Sequence, residues 1–277
     1  MSKLNDKANA GARTQKFIIT PKGYILMVLF FITGIAGLHT TAYSGFINAG
    51  AAITTAVILD LIGGMLIKRK RMLPDGAIIT ALIVSLVLSA NVSWIIAAST
   101  TAIAIASKFI LQIKKKPIFN PAAFGLLMAI LFFSTQQDWW GGFSSFPAWC
   151  IGYVLIGGYL VTSRSNKFPQ AFAFLTLYFS LFLAMALWHM EDVNEVFRVP
   201  FINSALFLAF FMVTDPPTSP GKYRDQIIFG AIVAIVSVTI NIQFGGLSYL
   251  LVGLLAANLC HAVYSAQKKK YSKTRLN

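Results

Sequence analysis

Apolar residues fall into ten blocks along the chain, 24–40, 44–67, 76–90, 92–113, 118–135, 146–163, 170–188, 197–214, 227–241 and 246–266, parted by short polar turns. Within each block the apolar run is continuous. A membrane barrel would instead alternate over segments of about ten residues, so the pattern predicts helices. Most blocks approach the roughly 20 residues that a helix needs to cross a bilayer. Blocks 76–90 and 227–241 fall short, which predicts half-helices or re-entrant segments. Irregular backbone at that depth is tolerated only where protein buries it or it lines a cavity.

Composition strengthens this picture. The chain is 57% hydrophobic and only 12% charged, whereas a soluble domain carries roughly a quarter charged residues. The outer surface must therefore face lipid. The expected fold is an all-α integral membrane protein of about ten transmembrane helices.

Charge sets the expected orientation. The net charge of +14 gathers in alternate turns: Lys3, Lys7, Arg13, Lys16 and Lys22 near the start, the run 68–71, residues 114–116, Arg164 with Lys167, Lys222 with Arg224, and the 268–275 tail. The opposite turns hold Asp138, Glu191, Asp192 and Glu195 against the single base Arg198. This asymmetry places the basic side and both termini in the cytoplasm, with the chain in the cytoplasmic (inner) membrane. It also gives attraction to anionic membrane lipid and argues against nucleic acid as a partner. No small-residue cleavage site follows the first apolar run, so the start is not read as a secretory signal. The domain division is a basic cytoplasmic segment 1–23, a transmembrane domain 24–266 and a basic tail 267–277.

A short similarity, residues 80–86 in the third block with residues 204–210 in the eighth, suggests duplication five blocks apart. Five is odd, so the halves, about 24–135 and 146–266, would form two five-helix inverted repeats containing half-helices. Cys150 and Cys260 both fall in predicted spans and read as small buried hydrophobes.

Polar chemistry enters the apolar blocks at four places. Pro74-Asp75-Gly76 opens the third block, either as a turn with Asp75 as helix cap or as a half-helix aimed at a site. Asn120-Pro121 opens the fifth, with Asn120 as an N-cap or as a donor–acceptor pair for a ring edge. Thr214-Asp215-Pro216-Pro217 ends the eighth, since Pro216 pushes Asp215 out of helical geometry. Asp60 and Lys108 sit inside or near the second and fourth blocks, where a pair between them is one explanation. His189 and His261 are isolated and read as structural, not as metal ligands. Walker A, dinucleotide-fingerprint and HExxH patterns do not occur, so ATP hydrolysis and NADH binding have no support.

The ordered set Pro74-Asp75-Gly76 with Thr80, then Phe119-Asn120-Pro121-Ala122-Ala123-Phe124-Gly125, then Ala209-Phe210-Phe211-Met212-Val213-Thr214-Asp215-Pro216 resembles one membrane family. It is the family shared by the B subunit of the sodium-pumping NADH:quinone oxidoreductase and the D subunit of the Rnf ferredoxin:NAD oxidoreductase. The resemblance implies a ten-helix fold of two five-helix halves, flavins held in the membrane, and electron transfer across it within a multisubunit complex. In such relatives an FMN is joined to the threonine of a Ser-Gly-Ala-Thr motif in the outer loop after span five. Here that loop reads Asp138-Trp139-Trp140-Gly141-Gly142-Phe143-Ser144-Ser145-Phe146-Pro147, without the motif and without a threonine. Covalent FMN is therefore not expected.

The reading is a reduced relative: a flavin-dependent transmembrane electron-transfer subunit, not an enzyme on its own, with a noncovalent flavin (riboflavin or FMN). Its partners would be other subunits of a membrane redox complex or an extracytoplasmic flavinylated protein. The candidate cofactor-binding residues are Asp75, Gly76, Thr80, Phe119, Asn120, Pro121, Phe124, Asn203, Thr214 and Asp215. Phe119 or Phe124 would stack on the ring. Trp139, Trp140 and Phe143 would dock a partner, stack a flavin, or simply form the interfacial aromatic belt. The alternative is a small-solute transporter or channel of inverted-repeat type, which the same half-helices would suit.

Overall fold

The structure is a computed structural model describing residues 20–40, 43–69, 72–113, 116–144, 146–188, 193–246 and 248–274. The bases Lys3, Lys7, Arg13, Lys16, Lys70, Arg71, Lys114, Lys115 and Arg275, together with His189, Glu191 and Asp192, lie outside the described residues. Among those described there are ten α-helices: α1 Pro21–Gly37, α2 Ser44–Leu66, α3 Asp75–Val87, α4 Trp94–Ile110, α5 Pro121–Phe133, α6 Ile151–Ser165, α7 Phe168–Leu187, α8 Val199–Phe207, α9 Tyr223–Phe244 and α10 Ser248–Thr274. A small antiparallel pair, β1 Gln112–Ile113 and β2 Lys116–Pro117, joins α4 to α5.

Local sequence explains the starts. Thr20 accepts a bond from the Gly23 amide ahead of Pro21, and Asn120 accepts one from the Ala123 amide ahead of Pro121. In both, the cap satisfies an orphan N–H while proline occupies the position that needs none. At α3 the expectation of Asp75 as cap is off by one: Pro74 holds the cap position, and Asp75 is the first helical residue, its carboxylate accepting from the Gly76 amide at 2.7 Å.

Four helices, Ser44–Leu66, Phe168–Leu187, Tyr223–Phe244 and the Tyr249–Lys268 part of α10, are long and apolar enough to cross a membrane. The ninth block is thus no half-helix. Its helix has 22 residues because Gln226 and its polar neighbours extend it beyond the apolar run, and Gln226 Nε2 donates to the Asn166 and Gly221 carbonyls. The short helices are α3 and α5, with 13 residues each, and α8, whose nine α-helical residues pass into a π-helical turn, Leu208–Val213. Thirteen residues rise only about 20 Å, against a hydrocarbon core of about 30 Å.

Packing follows a repeated scheme. The pairs α1–α3, α2–α4 and α4–α5 recur five helices later as α6–α8, α7–α9 and α9–α10, and the pairs α2–α3 and α3–α5 recur as α7 and α10 on the π-helical turn that continues α8. The two groups meet through α1 on α6 and α5 on α10. Small residues permit the closest approaches. A Cβ on Gly125 would stand 2.8 Å from the Thr100 carbonyl on α4, and one on Gly230 would stand 2.4 Å from the Gln170 carbonyl on α7. Large apolar side chains such as Leu131, Phe132 and Ile156 face outward, each about two-thirds exposed (65%, 68% and 65%). Lipid is the solvent that makes such a surface stable. Cys260 also faces outward, contrary to the expectation that it is buried. Cys150 is buried, in a short turn just before α6.

At the end remote from Asp75, α3 stops at Val87 and leaves carbonyls that membrane depth forbids to remain bare. The loop after α5 covers them. Trp140 donates its indole N–H to the carbonyls of Ser85 (2.7 Å) and Leu88 (3.1 Å), and the Trp139 amide donates to Val87. Asn48 on α2 donates to Ala90 and Val92. Trp139, Trp140 and Phe143 are consequently buried, at 0%, 7% and 1% exposure. They form neither a docking surface nor an interfacial belt; they plug the end of α3.

Candidate functional site

The stops of the short helices leave a cavity of about 800 Å³. Its wall is assembled from the starts of α1, α3 and α5, the ends of α4 and α6, and the chain just past the π-turn of α8. Consecutive helices thus alternate in direction about it. α3 enters at the cavity and α8 leaves there. Asp75, Gly76, Thr80, Asn120, Pro121, Thr214 and Asp215 all line it.

Three candidates do not. Phe119 and Phe124 stack on each other, centroids 5.8 Å apart, instead of on a ligand. Asn203 lies in α8, toward the plugged end, beneath Gly142, and its side-chain oxygen has no partner among the described residues. Helical periodicity could not place these residues, because it does not say which end of a helix faces a void.

Asn120 ties the wall together. Its Oδ1 accepts from Ala123 and its Nδ2 donates to the Met212 carbonyl, while its own amide donates to Oδ1 of Asn258 on α10. Asn258 in turn donates to the Thr218 carbonyl. The Met212 and Val213 carbonyls are both taken by side chains, those of Asn120 and of Gln170 on α7. π-turns are frequent at functional sites.

Beyond this turn the triple-proline loop has few N–H groups of its own, so side chains complete it. Thr218 donates to the Asp215 carboxylate at 2.8 Å, Ser219 donates to the Asp215 carbonyl, and the buried Lys167 donates to Ser219 and to the Pro220 carbonyl. Burial pushes the Asp215 carboxyl up to about 6, against the bond from Thr218 and the nearby Lys167. Burial likewise brings Lys167 down to about 8, with Asp215 opposing.

Sequence reasoning missed the cations of the wall. Lys22, Arg69, Lys108 and Lys116 all line the cavity, yet in the sequence Lys22, Arg69 and Lys116 read as orientation signals and Lys108 only as a partner for Asp60. Asp60 and Lys108 do pair, at 2.8 Å, and Arg69 joins them at 2.8 Å on the other oxygen of a carboxylate only 1% exposed. Lys22 reaches Asp75 at 3.2 Å. The deeper lining, Ile79, Ile83, Val161 and Phe211, is apolar. One end of the cavity is therefore cationic and the other suits a flat apolar body, and its volume falls within the range of about 300–1,000 Å³ typical of small-molecule sites. A flavin fits on both counts.

Residues 139–266 match the model of the NQR2, RnfD, RnfE family, whose members are membrane subunits of electron-transport complexes. No curated protein matches the chain. The matched region runs from the Trp139 plug to α10, so it contains the π-turn and the Thr214–Asp215 wall but neither Asp75 nor Asn120. Through this stretch the chain is similar to the NQR2, RnfD, RnfE family.

Proposed function

We propose that the chain is a flavin-dependent electron-transfer subunit of a membrane redox complex, with the cavity holding a noncovalent flavin on the cytoplasmic side. The observation that carries this reading is the convergence of Asp75, Gly76, Thr80, Asn120, Thr214 and Asp215 on one cavity. A bound flavin would supply the redox chemistry. The chain's own residues would hold it, exclude water from its ring and set its electrostatics. Thr80 and the half-buried Asp215 offer polar atoms at the ring edge.

The other side of the cavity separates this reading from solute transport. Between Phe211 in the wall and the plugged end stand Phe207 and Trp139, with successive ring centroids 4.9 and 6.1 Å apart and all three fully buried. Packed rings block a solute but not a tunnelling electron. Beyond them an extracytoplasmic flavinylated protein or another subunit would take the electron.

The test is optical. Protein purified in mild detergent should show a flavin absorption spectrum, and acid denaturation should release about one flavin per chain. A folded, colourless preparation that takes up no added flavin and moves a solute in liposomes would establish the transporter reading instead.

A further inference from the structure

We propose that Lys22, Arg69 and Lys108 form a phosphate-monoester subsite at the mouth of the cavity, so that its flavin is the phosphorylated form, FMN, and not riboflavin. This rests on the reading that the cavity takes a flavin, and it concerns only the tail.

Three observations carry it. First, two ammonium groups converge on empty space. A Cβ on Gly76 would meet Lys108 Nζ at 3.8 Å and Lys22 Nζ at 4.0 Å, and it would meet nothing nearer. The glycine leaves open the volume that both cations border. Second, these cations have donors to spare. Asp60, behind the wall, takes one bond from Lys108 and two from Arg69, and Asp75 takes Lys22. An ammonium has three N–H groups and a guanidinium five, so each keeps donors for an incoming oxygen. Asp60 thus acts as a positioning residue, with both its oxygens spent on holding Arg69 and Lys108. Third, charge and apolarity are segregated along α3. The cations stand over its first turn, and Ile83, about 10 Å deeper by helical rise, belongs to the apolar end. With a neutral riboflavin tail the four lining cations outnumber their carboxylates, Asp75 and Asp215 in the lining and Asp60 behind it, by one. A phosphate offsets that excess and uses the spare donors in charge-assisted bonds.

A phosphate group also occurs on anionic lipid, which basic membrane-edge clusters attract. The experiment separates the two sources. Flavin-free protein is placed in nanodiscs of phosphatidylcholine alone or with phosphatidylglycerol, and the binding of FMN and of riboflavin is followed by flavin fluorescence. The expected result in both discs is FMN binding about tenfold or more tighter than riboflavin, the scale of one charge-assisted bond. Lys22→Gln, which breaks only a half-exposed pair, and Lys108→Gln should each weaken FMN several-fold and leave riboflavin unchanged. Added salt should weaken FMN alone. Equal affinities for the two flavins, or equal weakening of both by Lys22→Gln, would overturn the subsite while leaving the flavin reading intact. An FMN preference that phosphatidylglycerol abolishes would assign the cations to lipid and overturn the proposal. Failure of both flavins to bind would remove the flavin reading itself.

Discussion

At the scale of single residues, Asp215 shows how local sequence and enclosure combine. Pro216 ends the helix there, and burial then penalises the charge. Its carboxyl is raised from near 4 to about 6, so the folded protein holds a proton between those values that the unfolded chain has lost. That contribution to stability is fully present below about pH 4 and is lost as pH rises through about 6. Between pH 4 and 6.5 the melting temperature in detergent should therefore fall more steeply for the wild type than for Asp215→Asn, in which Thr218 keeps an oxygen to bond. Parallel pH profiles for the two proteins would show that Asp215 ionises freely. Asp60 illustrates the opposite arrangement. A buried carboxylate flanked by Arg69 and Lys108 is tolerated because both oxygens are paired; the sequence alone offered Lys108 as a partner and gave no sign of Arg69.

At the scale of elements, the short helices decide the architecture. α3, α5 and α8 stop early, and each stop exposes backbone that something else must satisfy. On the cavity side that service comes from Asn120, Gln170 and Asn258; on the other it comes from Asn48 and the Trp139–Trp140 loop. Trp140→Phe keeps a six-membered aromatic ring but removes the N–H shared by the Ser85 and Leu88 carbonyls together with the five-membered ring that carries it. Orphaning them should cost about 1–3 kcal/mol, read as a lower melting temperature with unchanged membrane insertion. A melting temperature equal to that of the wild type would mean that the indole merely fills space. The sequence located α3 and both flanking motifs, because hydropathy and capping are local. It mistook the tryptophans for surface because an aromatic in a polar loop looks the same whether it meets lipid headgroups or a severed helix end.

For the whole molecule, the packing scheme repeats at an interval of five helices, and α3 and α8 run in opposite directions past the cavity. The basic turns and the cavity share one side, which we propose faces the cytoplasm. In a background with Cys150 and Cys260 replaced by serine, Trp188→Cys should react with an impermeant maleimide in intact spheroplasts, whereas Tyr223→Cys and Lys268→Cys should react only after lysis. The reverse pattern would turn the molecule over and place its cavity outside.

Sequence by itself determined the ten helices, their approximate limits, the segregation of basic turns, the cap at Asn120 and the helix stop at Asp215, because each depends on neighbours a few positions away. Only the tertiary structure decided which helix ends meet. It drew Asp75, Asn120 and Thr214 onto one cavity, left Asn203 and the Phe119–Phe124 pair outside it, joined Arg69 and Lys108 through Asp60, and buried the tryptophan plug. Those outcomes depend on contacts between segments dozens of residues apart, where the need to satisfy backbone groups away from water selects the arrangement.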